Sequence, residues 1–325
     1  MKNKLLEFIK KSNKIAIMTH KNPDGDAFGS ALAIYEFLDV YFKDKEKVIF
    51  TDFVSLGEEF KLITKGAKMN VADIEFDSAI CVDISDKKLL GAYEPLFDTI
   101  NNTFCIDHHK SNNNFCKINL VNCVSSNCEH LFNVFKETGL NITNKMAQYL
   151  CVGMTTDTNN FTINSVNAGT YRVIAEMEDL GVDVYGIRKI FFSGNSLEKY
   201  KIISLAMNKV EFLLDNKVMF INLIKEDFES CGLDENDTVG IINQAFYMKD
   251  AVACFLVSPR KDKLHISMRS VDGIDVSVIA ESFGGGGHVC AAASDTNLNV
   301  LEIKNSILKQ IKNQIRKLKP QKSIF

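Results

Sequence analysis

Four short apolar runs, Lys14–Thr19, Lys47–Phe50, Ser78–Val82 and Thr103–Ile106, punctuate the first half of the chain, each of strand rather than helix length. Between and after them, apolar residues recur at helical spacing, over Ala27–Tyr41 and then over 125–138, 143–154 and 166–180. Uninterrupted apolar strands alternating with helices predict an α/β fold, in which a parallel sheet is buried under helices on both faces. Gly139 and Gly181 each follow a helical stretch, where a left-handed C-cap belongs.

From 184 to 209 the chain reads as helical throughout, a connecting helix or a helix pair, with Arg188, Lys189, Glu198, Lys199 and Lys201 forming a charged side. The texture then changes. Val210–Leu214 and Val218–Leu223 read as paired strands around an Asp215-Asn216 turn, 251–257 and 263–269 as further strands, and 275–283 as a helix. Ile303, Ile307, Ile311, Ile315 and Leu318 make one apolar stripe, a docking helix whose outer face carries Lys304, Lys309, Lys312, Arg316 and Lys319. The expected organisation is an α/β domain over 1–188, a helical linker over 189–209 and a smaller α+β domain over 210–325, without internal repeats.

Composition removes several function classes. Lys plus Arg is 38 against 41 Asp plus Glu, a net charge of −3, which disfavours coating long nucleic acid through bulk charge. Nine Cys with no Cys-x-x-Cys pair give no support to a zinc ribbon or a thioredoxin motif. Cys81, inside Ala79-Ile80-Cys81-Val82, reads instead as a small core hydrophobe. Met1–Lys14 reads as a short helix rather than a signal peptide, and no run approaches the ~18 apolar residues of a membrane span. These features predict a reducing, cytoplasmic setting and no membrane partner.

Chemistry gathers where the strands end. His20-Lys-Asn-Pro-Asp24-Gly-Asp26 follows the first strand and precedes the first helix, the place where open α/β sheets bind ligands. Asp24 and Asp26 can equally make an Asx turn that caps that helix. Asp83 ends the third apolar run, Ser78–Val82, and needs a partner, a cap or a metal. Asp107-His108-His109 ends the fourth; the chain has six His, and three of them lie in these motifs. Imidazoles beside carboxylates suit Mn, Fe, Co or Zn better than Mg alone. Thr155-Thr156-Asp157-Thr158 adds one more carboxylate at a helical end. In a parallel sheet these strand ends would meet on one rim. Downstream, Arg269 offers a fork for phosphate oxygens, and Gly284-Gly285-Gly286-Gly287-His288 precedes the small-residue strand Ala291–Ser294, as a backbone anion cradle would.

In this order, these motifs closely resemble the DHH phosphoesterase family with its DHH-associated C-terminal domain, over nearly the whole chain. The short two-domain format is most similar to members that degrade short oligoribonucleotides and dephosphorylate 3′-phosphoadenosine 5′-phosphate. The resemblance implies a cleft between the two domains and two Mn²⁺ ions, with Mg²⁺ or Co²⁺ as substitutes. It places His20, Asp24 and Asp83 on one ion and Asp26, Asp83, His108 and Asp157 on the other. It further implies that His109 faces substrate, that Asp107 orients a ligand, and that Arg269, Gly285, Gly286, Gly287 and His288 grip the nucleotide. The implied reaction is hydrolysis of short RNA to 5′-mononucleotides, and of the bisphosphate nucleotide to AMP, by a hydroxide activated between two metals; a homodimer is plausible on the same resemblance. Ranked below it are a linear or cyclic dinucleotide phosphodiesterase, a RecJ-type single-strand exonuclease, a pyrophosphatase and a catalytically dead nucleotide-binding regulator. Val289 and Cys290 stand where the family often has a polar residue and Asn, and Ala293 where Gly is common.

Overall fold

The computed structural model describes residues 3–53, 58–71, 74–192, 196–235, 238, 240–246, 248–271 and 273–317. Leu318 and Lys319 therefore lie outside the described residues, as does the side chain of His288. The chain divides into two units, Met1–Gly194 and Asn195–Phe325.

The first unit runs α1 (Lys4–Lys11), β1 (Lys14–Met18), α2 (Gly25–Tyr41), β2 (Glu46–Phe50), α3 (Glu58–Ile63), β3 (Ser78–Val82), 3₁₀ turns over Lys87–Tyr93, α4 (Glu94–Thr99), β4 (Asn102–Asp107), β5 (Ile118–Val121), α5 (Asn127–Glu137), α6 (Asn144–Asp157), α7 (Ala168–Asp179) and α8 (Val184–Phe192). Its five strands pair in parallel in the order β2-β1-β3-β4-β5. Both faces are buried, because successive side chains point to opposite sides of a strand. Ile15, Ile17, Ile80, Val82, Phe104 and Ile106 pack into a core with α1, α2, α5 and α6. Ala16, Met18, Ala79, Cys81 and Cys105 face the other way, into a core closed by Leu90, Phe97 and Cys116.

Four of these five strands coincide with the apolar runs of the sequence. The fifth, β5, is an edge strand whose residues are only half-buried or exposed and so lack a continuous apolar run. The stretch 184–209, from the sequence a connecting helix or a helix pair, holds two helices among the described residues: α8, and α9 (Leu197–Asn208), which Ser196 caps by accepting from Lys199 N–H at 3.2 Å.

The second unit continues through β6 (Glu211–Leu213), β7 (Val218–Asn222), α10 (Lys225–Cys231), α11 (Ile241–Ala245), β8 (Ala253–Arg260), β9 (Lys263–Ser270), α12 (Ser277–Glu281), β10 (Gly286–His288), β11 (Ala291–Thr296) and α13 (Val300–Ile315). Its mixed sheet has the order β10-β11-β9-β8-β7-β6, with only β7 and β8 parallel. Ile303, Ile307 and Ile311 of α13 are buried against one face. Burying each is worth about 1.5–3 kcal/mol, enough to dock this helix despite its basic outer side. Ile202 and Ala206 of α9 are buried against the other face, with Met219, Ile221 and Cys254.

Candidate metal centre

The strand order of the first sheet reverses between β1 and β3, and the C-terminal ends of β1, β3 and β4 lie side by side on one edge. Open α/β sheets bind ligands at such a point. His20 follows β1 by two residues, Asp83 follows β3 directly, and Asp107 ends β4 with His108 and His109 behind it. Asp24 caps α2, and Asp157 is the last residue of α6.

The two readings of the His20–Asp26 motif prove compatible. Asp24 Oδ1 accepts from the N–H groups of Asp26 and Ala27, at 2.9 and 3.0 Å, and the same oxygen lies 3.9 Å from His20 Nε2. The cap reading does not extend to Asp83, since Asp86 caps the 3₁₀ turns by accepting from Lys88 N–H.

Two imidazoles are set with the same tautomer. His20 Nδ1 is 2.9 Å from the Lys21 carbonyl, and His108 Nδ1 is 3.2 Å from the Val124 carbonyl. A carbonyl only accepts, so each Nδ1 carries the proton and each Nε2 faces the carboxylates. His20 Nε2 is 3.7 Å from Asp83 Oδ2. His108 Nε2 is 3.4 Å from Asp83 Oδ1, 3.7 Å from Asp157 Oδ2 and 3.8 Å from Asp26 Oδ2.

Asp26 is fully buried, and its carboxylate sits on the N-terminus of α5, accepting from Asn127 N–H at 2.5 Å and Cys128 N–H at 2.9 Å. The orphan amides and positive end of that helix hold the charge there. Asp107 is also fully buried, but its oxygens accept from His109 Nδ1 at 2.7 Å and Asn112 Nδ2 at 2.6 Å. It steers His109 rather than joining a ligand grouping.

Among the described residues, three groupings are able to hold a cation: His20, Asp24 and Asp83; Asp26, His108 and Asp157; and Asp83, His108 and His109. Asp83 and His108 are each shared by two. Asp83 adopts a left-handed backbone, φ +58°, which Asp tolerates better than most side chains. Its buried Oδ1 has no hydrogen-bond partner. An orphaned carboxylate oxygen ringed by imidazoles and carboxylates is a donor set that fits divalent cations.

Electrostatics agree with that fit. Burial, reinforced by Asp83, pushes Asp26 up to about 7, and burial with Asp26 pushes Asp157 well above the carboxylate range. Asp83 is held well below that range against its own desolvation, chiefly by His108 and His20. Against burial, Asp24 and Asp83 raise His20, while Asp83, Asp26 and Asp157 raise His108 to about 11. Without metal, protons must do the work of cations. A raised His contributes stability that is complete below its unfolded pKa of 6.5 and lost as pH rises through the folded value. The metal-free protein is therefore expected to lose thermal stability between pH 7 and pH 10, and Mn²⁺ to raise Tm and flatten that decline. A melting temperature constant over this range without metal would overturn the assignment.

Close helix packing brings the carboxylates together. A Cβ at Gly25 would overlap Thr156, and one at Gly153 would overlap Cys128 Sγ and Asp26 Oδ1. These glycines let α2 and α6 approach closely and place Asp26 against Asp157. Gly25 lies within the His20–Asp26 motif, whereas Gly153, Asn112 and the α5 amides carry no signal of that kind in the sequence. The pattern Ser126-x-x-Glu129 marks a helix start and could have revealed those amides.

The substrate-binding candidates of the second unit lie along one line of strand register. Arg269 on β9 pairs with Ala291 on β11, which pairs with His288 on β10. Arg269 is tethered, Nε donating to Asn243 Oδ1 at 2.8 Å and Nη1 to the Met268 carbonyl at 2.9 Å. The glycine run is part turn and part strand: Gly284 and Gly285 donate back to the Glu281 and Ala280 carbonyls of α12, while Gly286 and Gly287 lie in β10. A Cβ at Gly285 or Gly287 would collide with β11 backbone, whereas Gly286 borders open space.

Residues 14–154 match the DHH family, N-terminal domain, and residues 232–317 match the DHHA1 domain. The chain belongs to the DHH family of phosphoesterases. It is 25% identical, over 93% of this chain and 90% of the relative, to a bifunctional oligoribonuclease and PAP phosphatase NrnA of Thermus thermophilus. It is 24% identical to the cyclic-di-AMP phosphodiesterase PdeA of Listeria monocytogenes, over 94% of this chain but 48% of that protein. An exopolyphosphatase-related protein from Bacteroides fragilis shares the fold, with a TM-score of 0.86 at 24% identity, covering 95% of this chain and 94% of that one. Among the described residues, no helix is long and apolar enough to cross a membrane.

Proposed function

We propose that this DHH-family enzyme hydrolyses short oligoribonucleotides to 5′-mononucleotides and 3′-phosphoadenosine 5′-phosphate to AMP, with two Mn²⁺ ions as its preferred metals. One observation carries the reading: the groupings that share Asp83 and His108 around the unpartnered Asp83 Oδ1. The likeness to NrnA over nearly the full length of both chains supports the substrate class. His20, Asp24 and Asp83 would hold one ion and Asp26, Asp83, His108 and Asp157 the other. Such ions supply Lewis-acid neutralisation of phosphoryl charge and a nucleophile at neutral pH. The protein's own part is orientation. Lys21 and Val124 carbonyls set the imidazoles, the α5 amides hold Asp26, and Asp107, itself held by Asn112, takes His109 Nδ1–H and favours the protonated ring, whose Nε2–H would donate toward a phosphoryl oxygen. Arg269, Gly285, Gly286, Gly287 and His288 would contact the nucleotide.

Cyclic dinucleotide cleavage is a second reading, favoured by the likeness to PdeA at almost the same identity. A substrate panel on the purified Mn²⁺-loaded protein separates them. A labelled diribonucleotide and 3′-phosphoadenosine 5′-phosphate are expected to be consumed, while a strand of about 20 nucleotides reacts poorly, since a net charge of −3 gives its phosphates no bulk attraction. If both small substrates survive while cyclic di-AMP is linearised, the second reading replaces the first.

A further inference from the structure

We propose that Asp52 is a positioning residue for the metal centre, acting through a single peptide plane that orients His20. The plane is Lys21 C=O with Asn22 N–H. Its oxygen accepts from His20 Nδ1 at 2.9 Å, and its N–H donates to the Asp52 carbonyl at 2.7 Å. Asn22 reaches this arrangement in a left-handed conformation, φ +52°, open to Asn and Gly but costly for most residues. The preceding plane is also tied down, with Lys21 N–H donating to the Leu89 carbonyl at 2.7 Å.

Asp52 is itself anchored. Its Oδ2 accepts from Ala92 N–H at 3.0 Å, and Gly91 lies against the same carboxylate at φ +60°. A Cβ at Gly91 would overlap Asp52 Oδ2 and crowd Lys21 Cβ, so glycine is needed on both steric and conformational grounds. Three loops, after β1, after β2 and within Lys87–Tyr93, are thereby joined into one brace behind His20. Asp52 belongs to none of the acid and histidine motifs, follows β2 by two residues, and touches no ligand grouping. Outer contacts of this kind fix a ligand imidazole's tautomer and ring direction, and losing one typically weakens metal affinity ~10–100-fold.

This inference rests on the two-ion reading of the site but not on the substrate. The test is titration of the metal-free protein with Mn²⁺, followed by calorimetry and electron paramagnetic resonance. Asp52→Ala is expected to weaken one of the two ions ~10–100-fold and leave the other unchanged. Asp52→Asn, which keeps an oxygen to accept from Ala92 N–H, should restore wild-type affinity. Gly91→Ala should weaken the same ion as Asp52→Ala, and it serves as the decisive variant if Asp52→Ala does not fold by circular dichroism. In a His20→Ala background that ion is already lost, and adding Asp52→Ala should change nothing further. The proposal is overturned if Asp52→Ala binds both ions like wild type, or weakens both equally. A wild-type protein that binds two ions but hydrolyses no phosphoester would remove the proposed activity and leave this inference standing.

Discussion

Replacing Asp83 by Asn is expected to reduce kcat/KM at least ~10³-fold, a loss of about 4 kcal/mol of transition-state stabilisation. Asn is the informative substitution because it fills the same space and tolerates the left-handed backbone at φ +58°, so the change removes charge rather than introducing strain. Asp83 is shared between two cation groupings, so its loss should weaken both ions, whereas changing Asp24 or Asp157 removes a ligand from one. The fold should survive. Ser78–Val82 is buried along its whole length by its own apolar residues, independently of the carboxylate that follows it. Steady-state kinetics on a diribonucleotide, with Mn²⁺ titration of the same preparation, provides the check. A variant keeping more than a tenth of wild-type turnover would remove Asp83 from the centre of the reaction.

Gly153→Val should cost about 1–3 kcal/mol or more through overpacking and also impair metal binding. The new side chain would enter the space occupied by Cys128 Sγ and Asp26 Oδ1, where α6 lies against α2 and α5. Relieving the clash means moving α6 outward, which carries Asp157 away from Asp26. For a domain of this size each kcal/mol lowers Tm by roughly 2–4 °C. Gly153→Ala should show a smaller effect in the same direction. Gln148→Val, an exposed change on the same helix, should stay within about 0.5 kcal/mol. Thermal denaturation and Mn²⁺ affinity measured together decide the matter; a Gly153→Val protein with wild-type values for both would show that the close seam is not needed.

The site was more legible in the sequence than the packing that assembles it. His20, Asp83 and Asp107–His109 announce themselves because polar groups must stop a buried strand, and four buried strands are unmistakable as apolar runs. Asp157 was visible only as a motif at a helical end; its approach to His108, at 3.7 Å, depends on how α6 lies. The division of labour among the carboxylates was hidden as well. Asp24, Asp26 and Asp107 look alike in sequence, yet one caps α2, one sits on the α5 N-terminus and one is committed to His109 and Asn112.

By itself, the sequence determined the parallel sheet, its two-sided burial and the residues at its rim, because hydrophobic periodicity is local and strand direction carries every terminal side chain to one edge. Only the tertiary structure decided which side chains meet. The strand order that makes β1, β3 and β4 neighbours, the glycine seam that lowers α6 onto α2, and the Asp52 brace behind His20 all join residues distant in sequence. Such contacts depend on steric fit and on paired backbone groups, which leave no periodic trace in a single chain.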